Sequence, residues 1–371
     1  MKNPIISIPA IKKADVSGSI TQNYEFIFKD KRFSFTLEVP RAIYLGAKHH
    51  SEKIVTVTRG TPDEIWEPQF FKAFIEDPVQ RPVIIRLLQI FRRLRDKLHL
   101  NSDEYFEMLL AFTQHIPYDY KKAEPDAGTD QRFPVEVLIE KKGLCGEKAF
   151  LLATLLKEEG YDIALLSFRK EEHMMLGIRP EKPFGTMAGG YAVLEVTSSS
   201  LPGDAGENAD TTGTLYEKPL VIPVGNGTLR YSNESCREVD LILKISQHLQ
   251  NRINTEDVRI EQCVEEINAK EQYLKEKYSE LKKTQSRIQQ MSWVEAVSAK
   301  EQFQVAKRAY NSEVKKQRAR MEKYSERGME FNQMVEVYNF ILENSHNRAG
   351  ILRELEENFT LLRKVVSGGD V

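Results

Sequence analysis

Apolar and polar positions alternate between residues 20 and 40. Tyr24, Phe26 and Phe28 precede a charged stretch at 29–32, and Phe33, Phe35, Leu37 and Val39 follow it. Period two on both sides of a short polar turn predicts a β-hairpin that Pro40 ends. Residues 81–97 carry apolar positions at helical spacing. Asn101, three residues ahead of Glu104, predicts a second helix opened by a capping box. From Pro134 a short helix is expected, followed by an apolar helix over 144–159 that Gly160 stops. The stretches YDIALLSF, HMMLGI and YAVLEVTS then read as three short strands with tight connections, which predicts an antiparallel sheet. Residues 198–238 are rich in Ser, Gly, Asp and Asn and read as loop with a few short strands.

Beyond about residue 238 the pattern is helical. Ile253, Ile260, Ile267, Leu274, Leu281 and Ile288 recur every seven residues, with Val264 and Tyr278 beside them. A second seam runs through Tyr310, Val314, Met321, Tyr324, Phe331, Val335, Tyr338 and Leu342. Such heptads predict coiled-coil packing. The two seams are out of phase, so the register shifts between about 291 and 303. A skip in one long helix and the turn of an antiparallel hairpin both account for the shift. Residues 344–350 read as a break before a last amphipathic helix.

Composition adds limits. A chain of 371 residues fits about two domains. With 41% hydrophobic and 29% charged residues it can bury a core, and a net charge of −2 gives no electrostatic reason to expect nucleic acid or an anionic membrane. No run of about 18 apolar residues offers a membrane span. The start lacks the apolar region of a signal peptide, and three cysteines are too few for a disulfide framework, so a reducing cytoplasm is the expected compartment.

One of those cysteines, Cys145, follows Lys-Lys-Gly-Leu and opens the apolar helix. Unpaired N–H groups and the positive end of the helix dipole stabilise a thiolate there, and the thiolate is the nucleophile. On this stretch alone, a small buried apolar residue is the better description. His173 opens the next strand but one, and Glu195 lies in the strand after it. A cysteine nucleophile needs a base, and the base needs a carboxylate to hold its ring. The order Cys, His, acid on helix, strand and strand meets that need. Cys236 and Cys263 carry no such partners, and no metal or nucleotide motif is present.

The stretch GLCGEKAFLLATLLKEEGYDIALL, with HMMLGI, YAVLEVT, FTQHIPYDY and RFPVEVLIEKKG around it, resembles the prokaryotic branch of the transglutaminase-like superfamily, a rearranged relative of papain-like cysteine proteases. The resemblance covers about residues 20–225. It implies Cys145 as nucleophile, His173 as base and Glu195 as orienting acid. Gln114 is the candidate second oxyanion donor beside the backbone N–H of Cys145, by analogy with the papain-like glutamine; a cap on its own helix is the other reading. His115 reads as structural. Where many relatives carry Gly-Asp-Cys-Glu-Asp, this chain has Gly143-Leu144-Cys145-Gly146-Glu147. That puts any calcium or substrate role of those acids in doubt, while acidic neighbours would only disfavour a thiolate.

The expected fold is therefore α+β: a transglutaminase-like (papain-like) core with an antiparallel sheet and N-terminal β-hairpin, plus a long C-terminal coiled-coil arm. The expected divisions are an N-terminal β region at 1–60, the core at 61–235, the arm at 236–345 and a C-terminal helix and tail at 346–371. The expected function is a cysteine peptidase or amidase acting on a peptide or glutamine-type amide through a thioacyl intermediate. A catalytically degenerate scaffold that binds peptide and works through its coiled coil is the alternative. The expected partners are a protein or peptide substrate and, through the coiled coil, a second copy or another protein. No cofactor, metal, nucleic acid or membrane span is expected.

Overall fold

The computed structural model describes residues 7–49, 53, 55–124, 130–206 and 214–357. Parts of the expected N-terminal β region, of the 198–238 loop and of the C-terminal tail lie outside them. The architecture is α+β, with an N-terminal hairpin, a five-stranded antiparallel sheet and a long pair of C-terminal helices. The chain divides into two compact units, residues 7–245 with 341–357, and residues 246–340.

The first unit begins with the expected hairpin, β1 (Ser19–Phe28) and β2 (Lys31–Pro40), paired in register from Ser19–Pro40 to Phe28–Lys31. Four helices follow: α1 (Arg41–Ala47), α2 (Asp63–Glu76), α3 (Arg81–Leu98) and α4 (Ser102–Gln114). The periodicity reading missed α1 and α2. The first is only two turns long, and α2 carries Pro68 inside it and spreads its aromatic residues widely around the helix. The capping box at α4 is present as expected: Asn101 Oδ1 accepts from Glu104 N at 2.9 Å, and Glu104 Oε2 accepts from Asn101 N at 3.0 Å. Phe26 and Phe35 of the hairpin pack against Phe91 of α3 and Phe112 of α4, with ring centroids 5.0–5.7 Å apart across the helices.

At the centre lies α6 (Cys145–Glu158), preceded by the short α5 (Pro134–Glu140). Every residue from Gly146 to Leu156 is buried. Apart from Glu147, Lys148 and Thr154, this stretch is apolar or glycine all round, as a helix enclosed on every side must be. It is surrounded by α2, α3, α4 and α5 and by the strands β3 (Ile163–Phe168) and β4 (His173–Ile178). Phe150 stacks on Phe74 of α2 at 5.3 Å. The helix stops where expected: Gly160 takes φ +86°, and Tyr161 N turns back to Leu156 O at 3.0 Å. The sheet is completed by β5 (Met187–Ala188), β6 (Tyr191–Leu194) and β7 (Leu220–Pro223), in the order β5-β6-β4-β3-β7.

The last helices are α7 (Asn233–Gln289), α8 (Trp293–Glu343) and α9 (Arg348–Glu357). In the second unit α7 and α8 run antiparallel, which resolves the register shift as a hairpin. Glu256 pairs with Arg327 at 2.6 Å, Lys270 with Glu313 at 2.7 Å, and Tyr278 stacks on Tyr310 at 5.9 Å. The turn contains neither Gly nor Pro; Glu295, in the first turn of α8, accepts from Ser292 N at 3.3 Å and from the Ser292 hydroxyl at 2.6 Å. The first seam lines the pair, with Ile267, Leu274 and Ile288 buried. The second seam is kept in part: Tyr310, Val314, Tyr324, Phe331, Val335 and Tyr338 are half-buried, whereas Met321 is 42% exposed and Met334 and Val337 are buried in addition.

Gly177 sets the spacing of the two strands that matter most below. A methyl group there would lie 2.7 Å from Tyr191 Cβ on β6. Gly177→Ala should therefore force β4 and β6 apart, with an expected loss of about 1–3 kcal/mol in urea unfolding.

Candidate active site

Cys145 is the first residue of α6, and a buried ionic cradle holds the loop that delivers it. Glu147, fully buried, accepts hydrogen bonds from Leu144 N at 2.8 Å, Arg132 N at 2.9 Å and Arg132 Nη1 at 3.0 Å, and pairs with Lys122. Arg132 also reaches Asp119 at 2.8 Å and Glu140 at 2.9 Å. On the other side Gly143 is laced to the segment after α4: Gly143 N donates to Pro117 O and Asp119 N to Gly143 O, both at 3.1 Å. Tyr118 lies on that segment; burial, with the negative charges around it, keeps its phenol protonated beside the nucleophile loop.

His173 is the first residue of β4, and Glu195 is the residue after the last of β6. The pairing of Leu176 with Leu194, carried one step further, sets Glu195 across from Met175 and diagonal to His173 on the same face. Long side chains reach across such a diagonal. His173 Nε2 and Glu195 Oε2 are 3.0 Å apart. With Nε2 committed to Glu195, Nδ1 is the ring nitrogen left to serve a thiol. Cys145 is half-buried, and its sulfur lies 3.9 Å from Glu172 O, immediately before the histidine.

The electrostatics follow from this line of three. Burial pulls the His173 pKa down, but the hydrogen bonds and charges of Cys145 and Glu195 outweigh it and raise it to about 10. Burial pushes Glu195 up, and the histidine together with Thr197 more than reverses that, leaving its carboxyl below the ordinary range. Thr197 donates both its backbone N–H, at 2.6 Å, and its hydroxyl, at 2.5 Å, to Glu195 Oε1. This turn takes the chain out of the sheet, so β6 ends at Leu194 and not within the expected longer strand.

Gln114 is placed differently from the oxyanion reading. It is the last residue of α4, and its Nε2 donates to Glu195 O at 2.9 Å and Ser200 O at 3.0 Å. Both amide hydrogens are engaged, which leaves none for an oxyanion at Cys145 in this arrangement. The side chain instead pins the loop that begins with the acid. His115 braces the N-terminal hairpin, accepting from Ile27 N at 3.2 Å on Nε2, with Nδ1 2.7 Å from Ala111 O. Cys236 is buried, which pushes its thiol up to about 11. Glu147 and Thr197 are visible in the sequence, one as the acid that closes Gly143–Glu147 and the other in the Glu-x-Thr that starts at Glu195, but without these roles; Lys148, a charge inside an apolar helix, went unread.

Comparison of the chain with protein-family models, with curated proteins and with solved structures gives no match.

Two outcomes are expected. Glu147→Ala leaves Arg132 and Lys122 without their buried partner and should cost about 3–5 kcal/mol in urea unfolding. His173 is protonated more readily in the folded chain than unfolded. Its contribution to stability should be complete below pH 6.5 and be lost as the pH rises through about 10. The stability difference between the natural protein and His173→Gln, followed by denaturant titration across that window, should narrow accordingly.

Proposed function

We propose that the chain is a transglutaminase-like cysteine peptidase or amidase. The observation that carries this reading is the imidazole of His173 3.0 Å from the carboxylate of Glu195, with the thiol of Cys145, at a helix start, against the carbonyl of Glu172, the residue just before that histidine. In the reaction, the thiol proton resides on His173 and the sulfur attacks the amide carbonyl. The carbon–sulfur bond forms, and the backbone N–H of Cys145 is one donor to the developing oxyanion. The carbon–nitrogen bond then breaks, and the imidazolium gives its proton to the leaving amine. Water, deprotonated by the same ring, attacks the thioester and frees the acid and the thiol. An amine in place of water would give transamidation, and hydrolysis is the default fate in bulk water. Glu195 orients the ring and stabilises its positive charge.

A half-exposed thiol with its base and acid in line supports the enzyme over the degenerate scaffold. The helical pair serves in this reading as an assembly or substrate-recognition arm. Trp293 and Val294, 81% and 77% exposed at its turn, are apolar groups that a protein partner would cover.

The test is incubation with a mixed peptide library, read by mass spectrometry for new termini and for glutamine converted to glutamate. His173→Ala should lower the rate by about 10²–10⁴-fold, and Glu195→Gln by less. Adding Cys145→Ala to His173→Ala should cost little more, because groups acting as a unit are non-additive. Absence of any product, or losses that multiply, would count against the assignment.

A further inference from the structure

We propose that Lys148 is a positioning residue of this site, its ammonium tying the end of α4 to the nucleophile helix; the proposal rests on the amidase reading above. Lys148 sits one turn after Cys145 and is completely buried. Its Nζ donates to Ile116 O at 2.6 Å and Gln114 O at 3.3 Å, and no carboxylate forms an ion pair with it among the described residues. Glu147, its neighbour in sequence, is committed to Arg132, Lys122 and the Leu144 amide. A buried cation held only by carbonyls is costly, and methionine or leucine would fill the same slot without that cost.

What the ammonium joins gives the reason for it. The two carbonyls belong to the segment that carries Gln114, and Gln114 grips Glu195 O and Ser200 O. Cys145 and Glu195 are therefore linked by way of Lys148 and Gln114 as well as through His173. Glu195 is also the charged side chain whose field bears on the ammonium. Burial lowers the Lys148 pKa to about 8, so the group still carries its charge at neutral pH. Holding the Gln114 carbonyl, it keeps Gln114 on the Glu195 backbone and so keeps the Glu195 carboxylate on His173, which favours a protonated imidazole.

The experiment follows alkylation of Cys145, Cys236 and Cys263 by limiting iodoacetamide between about pH 5 and 9, read by mass spectrometry of the labelled peptides, with urea unfolding alongside. The natural protein should label Cys145 first at low pH. Lys148→Met should unfold at the same or higher urea, because a buried charge is gone. Its Cys145 labelling at about pH 6 should nevertheless fall about tenfold, with the rate at high pH unchanged. Lys148→Gln keeps donors for the two carbonyls without the charge and should fall between; it decides the matter alone if Lys148→Met does not fold. An unchanged profile, or labelling reduced equally at every pH, would overturn the positioning role while leaving the amidase reading in place. No preference for Cys145 in the natural protein would overturn both.

Discussion

The carboxylate of Glu147 holds the site together. It is fully buried, it accepts from the amide of Leu144 just ahead of the helix, and it is neutralised by Arg132 and Lys122. A carboxylate at that depth is tolerable only when its hydrogen bonds are complete. Satisfying them fixes three pieces of chain at once: the 130–132 segment, the loop after α4 through Asp119, and the first turn of α6. The thiol of Cys145 inherits its position from that arrangement, since the side chain itself makes only long contacts.

Around this anchor Cys145, His173 and Glu195 are each held by a different device. Cys145 is placed by a helix start, His173 by the first residue of a strand, and Glu195 by a turn just beyond another. The parts are joined through side chains on α4 and α6, not through the sheet alone. Gln114 holds the acid's backbone, and Lys148 holds the backbone of Gln114. A site assembled this way needs accurate packing of α6 in the core, which explains why that helix is buried from Gly146 to Leu156.

Much of this was legible in the sequence, and the parts that were not share a cause. The hairpin at 20–40, the helices from Arg81 and Asn101 and the helix after Leu144 follow from local periodicity and caps, which residues near in sequence decide. Cys145 and His173 stood at the starts of such elements, so their positions could be read too. The task of Gln114 could not, because the choice between facing Cys145 and facing Ser200 depends on how α4 rolls against the sheet. Lys148 escaped for a similar reason: a lysine in a helix ordinarily points to water, and nothing nearby in sequence reveals that this one meets two carbonyls. On α8 the heptad rule placed Leu342 in the seam, but the second unit ends at Phe340 and Leu342 is exposed, its neighbour Ile341 being buried instead.

The second unit has a topological property that its helices alone do not reveal. It leaves the first unit after Ile245 and the chain re-enters that unit at Ile341, so the hairpin is an insertion with both ends in the same body. Its length is therefore free to vary without disturbing either junction, provided residues are gained or lost in matched numbers on α7 and α8. Seven added to each strand of the hairpin preserve every facing pair, whereas seven added to one alone would slide Glu256 away from Arg327 and Lys270 away from Glu313. Relatives of this chain that differ in arm length should accordingly differ by equal steps on the two helices, with Gln114, Cys145, Lys148, His173 and Glu195 standing at unchanged distances from one another along the chain.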